Sequence, residues 1–263
     1  MNWTLTIKDL YLLAKMLGSK VLVGIPNPFL RQQREEDMEQ EWEATFKKLH
    51  KMELVDLVDG ELKFEENFIQ TLWVMARSNM ITEVLTNHST QSLFYFSEDR
   101  VVEVTKGTEK EYELQSHPAP DWTWKQVIIP RMLMGVENIP ARQRKSLYLT
   151  PEEYTIYCGT MKVENKDELS ERHALTLEDS IIKQFELAIQ RKKYTNRLMT
   201  FYREDEQWRV EGMHLLTTPS SNWTLRMVQK NGKEMLETKQ SQGQALMEEI
   251  LGVVHRVKTK QPS

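Results

Sequence analysis

LTPEEY, Leu149 to Tyr154, repeats in chemical kind the six residues LTIKDL at Leu5 to Leu10. Each run has a leucine, a threonine, two fillers, an acid three positions after the threonine, and a large apolar residue. That order starts a helix: the threonine hydroxyl accepts from the backbone N–H of the acid, and the carboxylate reaches back to the N–H of the threonine. The acid also complements the positive end of the helix dipole. Pro151 stands at the first helical position of the second run, where a missing N–H costs nothing. Two matched helix starts a little over half a chain apart predict that the second half begins again where the first began.

Working outward from the first start, Ile7, Leu10, Ala14 and Leu17 recur at helical spacing and Gly18 ends the helix. Gly24-Ile25-Pro26-Asn27-Pro28 is a loop, because two prolines so close cannot continue a helix. From about Gln32 a longer helix carries Met38, Trp42, Phe46 and Leu49 on one stripe, with an acidic opposite face. A short hairpin from Leu54 to Phe64 follows, turning at Val58-Asp59-Gly60-Glu61, and then a helix with Phe68, Ile69, Leu72 and Trp73. After Ser78 the period changes to two, predicting strands at Ile81 to Leu85, Ser92 to Phe96, Arg100 to Thr105 and Tyr112 to Gln115. The turns Ser97-Glu98-Asp99 and Lys106-Gly107-Thr108 are short enough for antiparallel hairpins. A helix from Trp122 to about Met134 ends this half, and periodicity is lost over Gly135 to Pro140.

From the second start the pattern returns. A helix capped at Thr176-Leu177-Glu178-Asp179 carries Ile181, Ile182, Phe185 and Ile189. Strands follow at Arg197 to Tyr202, Trp208 to Leu215, Trp223 to Gln229 and Glu234 to Glu237, with Asn231-Gly232 as a hairpin turn. A last helix, Gly243 to Val254, turns Leu246, Met247, Ile250 and Val254 inward. The reading is an α+β fold: a central antiparallel sheet flanked by two helical subdomains, with a pseudo-two-fold internal repeat. Residues 1–140 form the first half, 141–254 the second half completing the same sheet, and 255–263 a basic, frayed tail, the two halves making one integrated domain.

Composition narrows the function. The 263 residues are 40% hydrophobic and 28% charged, and the longest apolar runs, such as Val127-Ile128-Ile129, fall far short of a membrane span. Met1-Asn2-Trp3-Thr4 has no signal-peptide character, so a cytoplasmic location and no membrane insertion are expected. The single cysteine, Cys158, excludes an internal disulfide and reads as a small core residue.

A search for chemistry finds little. The six histidines are scattered, and HExxH, paired-cysteine and calcium-loop patterns are absent, so neither metal nor other cofactor is expected. Glu168, Glu171 and His173 read as solvated charge before a capped helix. The ten glycines form neither GxGxxG nor GxxxxGK[ST], and no nucleophile elbow appears. Glu35-Glu36-Asp37 and Glu65-Glu66 read as solvated helix faces. Phe94 and Phe96 share one strand face, Leu93 and Tyr95 the other; this is a central strand covered on both sides, since a base-stacking platform would want neighbouring Lys and Arg. Trp122 and Trp124 read as core closers. No catalytic residue is assigned, and an enzyme would need a site assembled from distant residues.

Helix, hairpin, helix over Gln32 to Leu72 also fits a winged helix, which makes a transcriptional regulator the alternative. From Gln32 to Gly60, however, four cations face nine anions, and the net charge of the chain is −4 with a pI near 6.0. Phosphate contacts need cations this corner lacks, so nucleic acid is not an expected partner.

The LTxx[DE] opening helix ending at Leu17-Gly18, the Ile25-Pro26 loop, the exit from Leu49 through Glu53-Leu54-Val55-Asp56 into Asp59-Gly60-Glu61-Leu62, and the paired sheet halves resemble EspG-like chaperones of type VII secretion systems, including their Gram-positive counterparts. The resemblance runs from about Thr4 to Val254. It implies a cytosolic, non-enzymatic chaperone or adaptor that binds secreted helical-hairpin proteins. The Lys, Glu and Gln content departs from the mycobacterial pattern, which favours WXG-type or LXG-type clients over PE/PPE pairs. By the same analogy the contacts fall on Ser97, Glu98, Asp99 and Arg100, on Lys106 and Thr108, and on Met247 and Leu251 of the last helix. Met132, Met134, Met199, Met213, Met227 and Met247 offer adaptable apolar surface or ordinary core filling.

Overall fold

The two matched starts fold as predicted. Thr6 caps α1 (Ile7–Met16): its Oγ1 accepts from the Asp9 N–H at 3.2 Å, and Asp9 Oδ2 accepts from the Thr6 N–H at 2.8 Å. Thr150 does the same for α6 (Pro151–Tyr157), with Glu153 as the answering acid at 3.2 and 2.7 Å. Each cap directly follows a short strand that sequence periodicity missed, β1 (Asn2–Thr6) before α1 and β8 (Leu147–Leu149) before α6.

The computed structural model describes residues 2–19, 21–29, 35–87, 90–107, 111–141, 146–157 and 179–258. They fall into two compact units, Met1–Glu83 with Thr90–Lys125, and Val84–Ser89 with Gln126–Ser263.

In the first unit α2 (Glu35–Lys51), the hairpin β2 (Val55–Val58) and β3 (Glu61–Phe64), and α3 (Glu66–Arg77) precede the meander β4 (Met80–Thr86), β5 (Thr90–Phe96), β6 (Val101–Lys106) and β7 (Glu111–His117). The β2–β3 turn has Asp59 and Gly60 both at positive φ, 55° and 83°, as a two-residue hairpin requires. The edge strand β1 pairs with the last strand of the meander, Leu5 opposite Tyr112 and Trp3 opposite Leu114. These side chains share a face with Val104, Val102, Leu93 and Tyr95, and α1, α2 and α3 close over it through Leu10, Leu13, Leu49, Phe68, Leu72 and Met75. The opposite face buries Phe94, Phe96 and Val101, so β5 is covered on both sides as expected. Trp124 stacks on Phe96 at 5.9 Å and closes this layer, whereas Trp122 stays exposed. Glu65, expected to be solvated only, caps α3 by accepting from the Asn67 and Phe68 N–H groups.

The single helix expected from Trp122 is interrupted. α4 (Pro120–Thr123) passes into a π turn (Trp124–Ile128) before α5 (Ile129–Met132). Pro130 explains it: proline donates no N–H and its ring crowds the carbonyl four residues back, and a widened turn relieves both.

The second unit repeats this plan. After α6 come α7 (Asp179–Gln190), the meander β9 (Tyr194–Glu204), β10 (Gln207–Thr217), β11 (Asn222–Lys230) and β12 (Lys233–Gln240), and α8 (Gly243–Lys258). The edge strand again joins the last meander strand, Leu149 opposite Leu236. Leu147, Leu149, Leu216, Trp223, Leu225 and Leu236 meet Ile181, Phe185 and Ile189 of α7 on one face. On the other face α8 packs against β9 and β10 through Leu246, Ile250, Val253 and Val257. α8 continues through Lys258, so His255 to Lys258, expected in the frayed tail, are helical. Within the first unit the strands follow the order β1-β7-β6-β5-β4, and within the second β8-β12-β11-β10-β9, each a leading strand followed by its meander from last strand to first. Cys158, Glu168, Glu171, His173 and the Thr176 cap lie outside the described residues.

The β9–β10 turn breaks a local rule. Asp205 and Glu206 both have positive φ, 47° and 65°, with no glycine between them, while the equivalent β11–β12 turn uses Asn231-Gly232. A left-handed side-chain residue costs about 1–2 kcal/mol. Glu206→Gly is expected to stabilise the second unit by about 1 kcal/mol, read as a higher urea midpoint with unchanged slope. The lost Arg203–Glu206 ion pair is solvent-exposed and offsets little of this.

Candidate functional site

The second unit carries an open cleft of about 1000 Å³. It arises from where one strand pairing stops. β9 and β10 stay paired from Tyr194 and Thr217 out to Glu204 and Gln207, and β11 and β12 stay paired to Lys230 and Lys233. Between them, β10 and β11 pair only over His214 to Thr217 and Asn222 to Leu225. Past His214 and Leu225 the two hairpins part, and the cleft lies in the fork.

Its lining follows from that geometry. Trp208, Val210, Gly212 and His214 come from β10, Leu225 and Met227 from β11, and Met199, Leu236 and Tyr154 stand around them. Trp208, Val210 and Met227 are 42%, 51% and 49% exposed, large apolar side chains left wet beside a buried core. Gly212 sits near the crotch, where a Cβ would come within 2.6 Å of the Leu198 carbonyl oxygen and against the Met199 sulfur; only glycine fits this approach.

The three arginines of the cleft lining are each paired with a carboxylate. Arg226 Nε donates to Glu237 Oε2 at 2.8 Å, Arg256 Nε to Glu211 Oε2 at 3.1 Å, and Arg209 lies 3.4 Å from Glu204. Burial by itself raises the Glu237 pKa, but Arg226, Ser146 and Tyr148 outweigh it and hold the carboxyl below its ordinary range. The cleft therefore presents an apolar floor inside a neutralised rim, suited to polypeptide rather than to a strongly charged ligand. Among the described residues no group of three or more His, Cys, Asp or Glu side chains is placed to hold a metal ion, and no helix is long and apolar enough to cross a membrane.

The residues expected to contact a partner are distributed. Ser97, Glu98, Asp99 and Arg100 form the β5–β6 turn of the first unit, where the Ser97 hydroxyl donates to Asp99 Oδ1 at 2.9 Å and accepts from the Arg100 N–H. Lys106 ends β6 at its other end, and Thr108 lies outside the described residues. Met247 and Leu251 are one turn apart on α8 in the second unit, Leu251 exposed and Met247 half-buried. None of the described ones lines the cleft. Of the expected adaptable methionines, Met227, Met199 and the buried Met213 line it, while Met132 is buried away from it. Trp208, Val210 and Gly212 were missed. The signal that marks them is a glycine inside an otherwise continuous strand pattern, which flags a bulge or a close backbone approach.

No family model matches this chain, and no curated protein matches it. Among solved structures it is similar to the Mycobacterium tuberculosis type VII secretion system chaperone EspG5, determined in complex with a PE25–PPE41 dimer, with a TM-score of 0.64 and 9% sequence identity. The match covers 100% of this chain and 97% of the EspG5 chain. The protein has the fold of a type VII secretion chaperone: a large antiparallel sheet with flanking helices.

Proposed function

We propose that this protein is a non-enzymatic, cytoplasmic chaperone or adaptor that holds helical secretion substrates, of the WXG or LXG type, before export by a type VII secretion system. The observation that carries the reading is the likeness to EspG5 over the full chain. The apolar cleft with its neutralised rim supports it, because a chaperone needs wet apolar surface that a client can cover. The acidic stretch from Glu35 to Asp59 opposes the regulator alternative, since phosphate would meet repulsion there. Ser97, Glu98, Asp99, Arg100, Lys106, Thr108, Met247 and Leu251 are proposed as further client contacts outside the cleft.

Co-expression with small helical secreted proteins encoded near this gene tests the proposal. A client that co-purifies and co-elutes on size exclusion is the expected result. Failure of every such client to co-purify, whichever partner carries the tag, overturns it.

A further inference from the structure

Among the described residues, the fork between β10 and β11 leaves backbone groups without a ladder partner, and their pattern says what fits there. Thr217 O accepts from the Lys193 N–H at 2.8 Å on the β9 side, while the Thr218 N–H donates to Ser221 O at 2.9 Å on the β11 side. Successive residues of an antiparallel strand turn their N–H and C=O to alternate edges. Counting back along β10, Trp208, Val210 and Gly212 therefore aim their N–H and C=O groups into the cleft. Asn222 O accepts from the Ser241 N–H at 3.0 Å on the β12 side, so on β11 it is Met227 and Gln229 that aim inward. Register places the side chains of Trp208, Val210 and Met227 on one face, the face of His214 and Leu225.

Donor and acceptor pairs repeating every second residue, about 6.7 Å apart along an edge, match an extended polypeptide. A helix satisfies its own backbone and offers such an edge nothing. We infer that the cleft captures an extended segment of the client, which adds a strand to the β10 edge and lays alternate apolar side chains over Trp208, Val210 and Met227. The paired charges of the rim select against a highly charged segment. The identity of the partner rests on the chaperone reading; the mode of capture rests on the backbone pattern alone.

The test uses the full chain and a synthetic acetylated and amidated peptide, Lys-Val-Thr-Val-Thr-Val-Lys. Binding is expected to slow amide exchange at Trp208, Val210 and Gly212 at least tenfold. A version N-methylated at alternate residues along one edge is expected to bind at least tenfold more weakly. Val210→Pro removes one inward N–H without touching the β9 ladder and should weaken binding to the same degree. If that variant does not fold, Met227→Lys, at an exposed position, serves in its place with the same expectation. Equal binding of the methylated peptide, or unchanged exchange at the three amides, overturns the inference. So does slowed exchange that grows with protein concentration in the absence of peptide, which assigns the edge to a second copy of the chain. A client that co-purifies equally well with both variants overturns strand capture while leaving the chaperone role standing. Peptide protection without any client supports the strand site and counts only against the chaperone reading.

Discussion

Trp223→Ala is expected to lower the stability of the second unit by about 3–5 kcal/mol, the largest loss from any single substitution considered. Trp223 is 0% exposed, meets Phe185 of α7 edge-on at 5.2 Å, and donates from Nε1 to Ser221 Oγ at 3.1 Å. Its neighbours across the ladder are Leu216 on β10 and Gln240 on β12. Only four residue pairs hold β10 to β11, and Trp223 belongs to one of them, so the closed end of the cleft depends on it. Alanine leaves a cavity against Phe185 that the rigid sheet cannot collapse. Urea unfolding followed by circular dichroism should show a lowered midpoint with unchanged slope, and Trp223→Phe should recover more than half of the loss. A Trp223→Ala loss below about 1 kcal/mol contradicts this account of the core.

Asp9→Ala is the second large effect, about 3 kcal/mol on the first unit. The carboxylate does two jobs: Oδ2 takes the Thr6 N–H that closes the helix cap and the Lys48 ammonium at 2.8 Å, while Oδ1 takes the Thr45 hydroxyl at 2.8 Å. It thereby pins the start of α1 to α2. Loss of the cap accounts for about 1 kcal/mol and loss of the charged hydrogen bonds for about 2 more. Burial alone would raise the Asp9 pKa, but Lys48, the Thr6 N–H and Thr45 together depress it. A depressed carboxyl contributes stability that is complete above the unfolded carboxylate range near pH 4 and is lost as pH falls through the lower folded value. The gap between wild type and Asp9→Ala should therefore be constant from pH 7 to about pH 5 and shrink below pH 4. A gap that persists undiminished at pH 2 contradicts the assignment.

Most of the architecture was legible because it was written in local chemistry. Thr6 with Asp9 and Thr150 with Glu153 announce helix starts, and Asp59-Gly60 and Asn231-Gly232 announce hairpins, all within four residues of chain. β1 and β8 were hidden because five-residue and three-residue edge strands are recognisable only by their partners, β7 and β12, far along the sequence. The π turn was hidden in the same stretch that announced a helix, although Pro130 was its cause. The cleft was least legible of all. No residue type defines it; it exists because the β10–β11 ladder stops at His214 and Leu225 while its neighbours continue, and register is a property of pairs. The contact residues proposed by resemblance came from turns and helix faces, features that sequence shows, and the fork was not among them.

The closure of each meander by its own leading strand also governs how the chain emerges from the ribosome. Asn2 to Thr6 leave the exit tunnel well ahead of their binding site at Glu111 to Gln115, which is translated more than a hundred residues later. At about 5–20 residues per second, that interval spans roughly 5–20 seconds in which Trp3 and Leu5 have no groove to occupy. The first unit is thus a late-locking nascent chain, and synonymous changes that slow translation before Glu111 lengthen its most aggregation-prone moment.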